Sequence, residues 1–152
     1  IEFDLRWFDR PAARWPGAVW WTFAPAVGDA QGWRMSKLDE WVSPFDVVPG
    51  GGVHLHCADR VRHTDARVEL EFVDTSLVAP GAPRLLEWPP DPVDLADGWS
   101  VCLHDNVWGT NFPMWDVGTG DGGTGDSGTG DKGHARFRAR LRWARPEAWR
   151  TH

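Results

Sequence analysis

Ala135-Arg136-Phe137-Arg138-Ala139-Arg140-Leu141-Arg142-Trp143 is the stretch that decides the fold class. Apolar residues and arginines alternate along it without a break. Successive side chains of an extended chain point to opposite faces, so this period of two gives one dry face and one wet face. Helical periodicity is nearly absent from the chain. Two more segments share the pattern. Ile1, Phe3, Leu5 and Trp7 alternate with Glu2, Asp4 and Arg6, and Val68, Leu70 and Phe72 alternate with Arg67, Glu69 and Glu71. If the last two segments are neighbours, Glu69 and Glu71 have the spacing to pair with the arginines.

Working outward, further strands are predicted over Ala18–Phe23, Trp33–Leu38, Trp41–Val48, Val53–Cys57 and Trp99–His104. Pro44 demotes part of its strand to an edge or a bulge. Turn chemistry lies between them at Val27-Gly28-Asp29, Pro49 to Gly52, Pro80-Gly81-Ala82-Pro83 and Pro89 to Pro92. Pro11 to Arg14 is read as one short helical turn. Many short strands with Pro and Gly turns predict an all-β fold, an antiparallel β-sandwich of one domain over residues 1–152.

The composition narrows the partners. Sixteen Lys and Arg against twenty-two Asp and Glu give a net charge of −6, which argues against a nucleic-acid backbone. No apolar run is long enough for a membrane span, and nothing reads as a signal peptide, so a cytoplasmic location is expected. Cys57 and Cys102 are too few for a disulfide scaffold and are read as two reduced core thiols, with one bridge between them as the alternative. Ile1 at the first position is what a piece of a larger protein would show. Twelve tryptophans with no tyrosine supply apolar bulk, and some indoles could stack on sugar rings.

Gly118 to Gly133 is a low-complexity insert with three copies of a five-residue Thr-Gly-Asp unit. Having no apolar residue, it cannot build a core, and a long hairpin insert is expected. Calcium at Asp121, Asp126 and Asp131 is the sharper alternative, but the repeat lacks a closing ligand.

Chemistry is sparse. His54 and His56, in one strand, would share a face, and His104 or Cys102 could join them as a metal set. The glutamate that would complete a His-rich barrel motif is missing after His56. Asp39 with Glu40, or Asp94 with Asp97, are candidate carboxylate pairs of the kind that cleave glycosides. No nucleophile elbow, phosphate loop or zinc-protease helix occurs. The densest stretch runs from His104 to Trp115 and holds Asn106, Trp108 and Asn111. Amides and carboxylates bind hydroxyl pairs and indoles stack on pyranose faces, so it is a candidate sugar-side loop.

Three blocks carry a resemblance: Trp41 to His56, Asn106 to Trp115, and more weakly Arg14 to Trp20. Together they resemble the C-terminal β region of bacterial and fungal glycosidase-like proteins related to glycoside hydrolase family 38, the α-mannosidases. The chain departs from that pattern in the Gly118 to Gly133 insert and at Asp105, where an asparagine is expected. The resemblance implies a division of labour. The divalent metal and the nucleophile belong to a catalytic domain N-terminal to this region. No catalytic residue, metal site or cofactor is therefore expected in this chain. Its expected partner is that catalytic domain, with carbohydrate at the loop of Asn106, Trp108 and Asn111, and with His54, His56 and His104 supporting it. An independent carbohydrate-binding module and a His-ligated metalloenzyme are the alternatives.

Overall fold

The alternating segments build the larger of two sheets in a computed structural model, which describes residues 1–10, 17–48, 51–84, 93–105 and 133–143. The strands are β1 (Glu2–Arg10), β2 (Ala18–Phe23), β3 (Trp33–Lys37), β4 (Glu40–Val42), β5 (His56–Cys57), β6 (Arg60–His63), β7 (Val68–Phe72), β8 (Leu77–Pro80), β9 (Trp99–Asp105) and β10 (Gly133–Trp143). They form a six-stranded sheet ordered β1-β10-β7-β6-β3-β4 and a four-stranded sheet ordered β2-β9-β8-β5. Every pairing among them is antiparallel. This is the expected sandwich. No helix among the described residues is long and apolar enough to cross a membrane.

The two sheets meet through large aromatic side chains. Trp33 of the larger sheet and Trp99 of the smaller one stand edge to face at 5.9 Å, and neither is exposed. Phe23 of β2 reaches Phe3 of β1 at 5.4 Å and Phe72 of β7 at 6.0 Å. The pairs Trp33–Trp99 and Phe3–Phe23 are edge to face and Phe23–Phe72 is tilted, and aromatic pairs at these separations add to the burial of their area. Val61, Val68, Leu70, Val78 and Val101 fill the space between and are essentially inaccessible.

The opposite face of the larger sheet is the wet side of the alternation. Its charges interleave across strands, because the register sets Glu2 against Arg140, Arg140 against Glu71 and Arg142 against Glu69. Arg142 bonds Glu71 at 2.7 Å and Glu69 at 3.1 Å, and Arg140 reaches Glu2 at 3.1 Å. Arg138 clamps Asp74 at 2.7 Å. Arg136 bonds Asp4 at 2.8 Å, and this guanidinium, helped by Arg6, holds the Asp4 carboxyl down at about 2. The pairing of Glu69 and Glu71 with the arginines is as the spacing anticipated.

Several boundaries move. The strand expected over Trp41–Val48 is confined to Glu40–Val42, since Pro44, fully buried, cannot donate to a ladder. The one expected over Val53–Cys57 shrinks to His56–Cys57. β6 and β8 are strands that the patterning did not single out. The β3–β4 hairpin turns on Leu38 and Asp39, both left-handed at φ 51° and 65°. That is the pattern of a two-residue turn whose twist matches its strands. The Pro11 to Arg14 turn lies outside the described residues, as does the Gly118 to Gly133 insert apart from Gly133, the first residue of β10.

Candidate functional site

Asn106, Trp108 and Asn111 lie outside the described residues, as do Asp121, Asp126 and Asp131. The histidines can be followed. His54 and His56 do not share a strand face, because β5 begins only at His56. The chain before it is bent, and the His56 ring reaches back to the carbonyl of Val53 at 3.2 Å. Its other nitrogen, Nδ1, is 3.2 Å from the Lys37 ammonium. One tautomer satisfies both contacts: Nε2 donates to Val53 and Nδ1 accepts from Lys37. Burial, then the Lys37 charge, pushes the His56 pKa down to about 4. With both nitrogens engaged and a cation beside one of them, this ring is a structural element and not a metal ligand.

His54 goes elsewhere. It lines a cleft of about 80 Å³ with Pro80, Ala82, Arg84, Asp94 and Asp97. Its Nε2 is enclosed and finds no hydrogen-bond partner among the described residues. The carboxylate pair Asp94 and Asp97, picked out by spacing alone, therefore lines the same small cavity as an imidazole and a guanidinium. Asp94 also serves the backbone there, accepting the Ala96 N–H at 2.8 Å. Asp39 and Glu40 sit at the tip of the β3–β4 hairpin, where Asp39 is 3.5 Å from Arg60 and almost wholly exposed.

His104, on β9, packs edge to face against Trp7 at 6.4 Å. Burial, reinforced by Asp105, raises the Cys102 thiol to about 11, so it is a neutral core group at physiological pH. Cys57 is exposed, so the expectation of two core thiols holds for Cys102 only. No group of three His, Cys, Asp or Glu side chains suited to a metal ion occurs among the described residues. A buried histidine that patterning missed is His63. Its Nδ1 accepts the Ala66 N–H at 2.9 Å and its Nε2 donates to the Asp29 carbonyl, so it braces the β6–β7 turn against the chain before β3.

Part of the dry face of the larger sheet is exposed. Ile1 and Leu141 exchange backbone hydrogen bonds of 2.9 and 2.8 Å. Ile1, Leu5 and Trp143 thus fall on the core-facing side of the larger sheet, in line with Phe3, Ala139 and Leu141. Ile1 is nevertheless 70% exposed, Trp143 60% and Leu5 37%, whereas Ala139 and Leu141 are buried. Ile1 and Trp143 mark one end of the six-stranded sheet, where among the described residues its apolar face extends beyond the four-stranded sheet, whereas Phe3, between Ile1 and Leu5, packs on Trp21 and Phe23.

No family model, curated protein or solved structure matches this chain.

Proposed function

We propose that this chain is a non-catalytic β-sandwich module of a glycosidase-like protein. In this reading it packs on a catalytic domain through the uncovered apolar end of its larger sheet. The observation that carries the reading is the exposure of Ile1 and Trp143 on a face whose next residues, Leu141 and Ala139, are core. Large apolar groups left out in this way mark a surface that a partner covers. The α-mannosidase context comes from the sequence blocks Trp41 to His56 and Asn106 to Trp115, and the loop of Asn106, Trp108 and Asn111 is its substrate-side element.

The test has two arms. The purified chain, assayed against aryl mannosides, is expected to give no turnover, and turnover that survives repurification refutes the reading. In the protein that carries the module, Ile1→Glu with Trp143→Glu is expected to lower activity while the sandwich still melts cooperatively. Unchanged activity in that variant refutes the docking surface.

A second reading, an independent carbohydrate-binding module, is favoured by one observation. The cleft of His54, Arg84, Asp94 and Asp97 offers acceptors and donors suited to vicinal hydroxyls. Calorimetric titration with mannose and other monosaccharides decides it: heat that disappears in Asp97→Asn supports this reading, and no heat at millimolar sugar removes it.

A further inference from the structure

We propose that two copies of this chain associate through β1, edge to edge and antiparallel, in a single register that sets Leu5 against its own copy. The inference rests on the strand's open side and charge order, and not on the proposed function above.

β1 ends the six-stranded sheet, with β10 on one side and no strand of the described residues on the other. The ladder fixes which backbone groups are available. Ile1 and Leu141 exchange hydrogen bonds, so by alternation Phe3, Leu5 and Trp7 also bond to β10. Arg138 supports this assignment. It lies opposite Asp4, yet its N–H goes to Asp74 and its C=O accepts from Val73, both away from β1. The N–H and C=O groups of Asp4 and Arg6 therefore point out from the open edge. Such an edge is a template for another strand unless something blocks it. β1 has no proline and shows no register shift between Glu2 and Trp7.

Charge then selects the partner and the register. Antiparallel pairing of two identical strands is two-fold symmetric, so each residue has one image opposite it. With Leu5 on the axis, Asp4 faces Arg6 of the second copy, and the reverse pair repeats on the other side. Phe3 faces the second copy's Trp7 on the apolar side. Putting Asp4 on the axis sets two carboxylates opposite each other, and putting Arg6 there sets two guanidinium groups opposite each other. Placing Phe3 on the axis sets Glu2 against Asp4. Like charges directly opposite are destabilising, so the registers centred on Phe3, Asp4 and Arg6 are penalised, and one centred on Trp7 would need the stretch between Trp7 and Arg10, where the ladder loses its regular register. Side-chain exposure fits the exchange: Arg6 is 58% exposed, and its bond to Asp4 within the strand is long at 3.4 Å. Leu5, 37% exposed, gains a partner on the axis. Ile1 and Trp143 lie beyond the paired stretch and remain available for other contacts.

Sedimentation velocity of the whole chain over a concentration series tests association, and two variants test the register. Arg6→Pro removes an outward N–H while leaving the bonds to β10 in place. It is expected to weaken the dimer at least about tenfold with the thermal transition retained. In a Cys57→Ser background, Leu5→Cys brings two thiols together at a non-hydrogen-bonded position, where opposing Cβ atoms are closest, and is expected to cross-link under mild oxidation. Asp4→Cys and Arg6→Cys in that background are expected not to. A chain that stays monomeric at high micromolar concentration overturns the proposal. A dimer indifferent to Arg6→Pro, or one cross-linked as readily at position 4 or 6, also overturns it.

Discussion

Acid should loosen this sandwich through one imidazole. The His56 pKa is lowered from its ordinary 6.5 to about 4, first by burial and then by the Lys37 ammonium. The unfolded chain therefore binds a proton at this residue more readily than the folded one. The stabilisation is fully present above the unfolded value and is lost as the pH falls toward the folded value. That lowering corresponds to about 3 kcal/mol, a large part of a small domain's stability. His56→Gln isolates the effect, because an amide can still donate to Val53 and accept from Lys37 but does not titrate. Urea unfolding of both proteins, followed by tryptophan emission between about pH 7 and about pH 4, gives the comparison. The wild type should lose about 3 kcal/mol more than His56→Gln over that range. Carboxylates titrate alike in both proteins and cancel. Equal pH slopes for the two proteins would refute the assignment of His56 as a buried neutral ring.

Three other outcomes follow from local geometry. A Cβ at Gly32 would stand 2.6 Å from the His63 ring, which is buried and held by two hydrogen bonds, so Gly32→Ala should cost about 1–3 kcal/mol in urea unfolding. Leu38 is wholly exposed and left-handed at φ 51°, so Leu38→Asn should raise stability by up to about 1 kcal/mol, seen as a higher melting temperature. Of the two thiols, Cys57 should react with a chromogenic disulfide reagent at once in the native protein, and Cys102, buried and raised to about 11, only on unfolding. Two fast thiols would contradict the burial of Cys102 on β9.

The sandwich was legible because its longest strands alternate. β2 falls on its expected bounds, Ala18–Phe23, and β9 extends only one residue further, to Asp105. The two missed strands lack that signal for identifiable reasons. β6, Arg-Val-Arg-His, offers one apolar residue, and its His63 is core only because Asp29 and Ala66 satisfy both ring nitrogens. β8 is a four-residue apolar run ending in proline, too short for periodicity to distinguish strand from loop. The β3–β4 turn carries neither glycine nor asparagine, so turn chemistry could not announce it. The supporting histidines were harder to place. Two residues apart implies one face only inside a strand, and the chain bends at Val53 and His54, so that β5 begins only at His56. The cleft that gathers His54, Arg84, Asp94 and Asp97 joins residues distant in sequence, which no local spacing encodes.

The claim on which the functional account depends is that the apolar end of the larger sheet is a surface waiting for a partner. Binding of the dye anilinonaphthalene sulfonate to the native chain at neutral pH tests it most directly. Dye emission should rise with the folded protein and fall back in Ile1→Ser with Trp143→Ser, while both proteins keep the same cooperative melting. A native chain that leaves the dye dark, or a double variant that binds it as well as the wild type, would contradict the account.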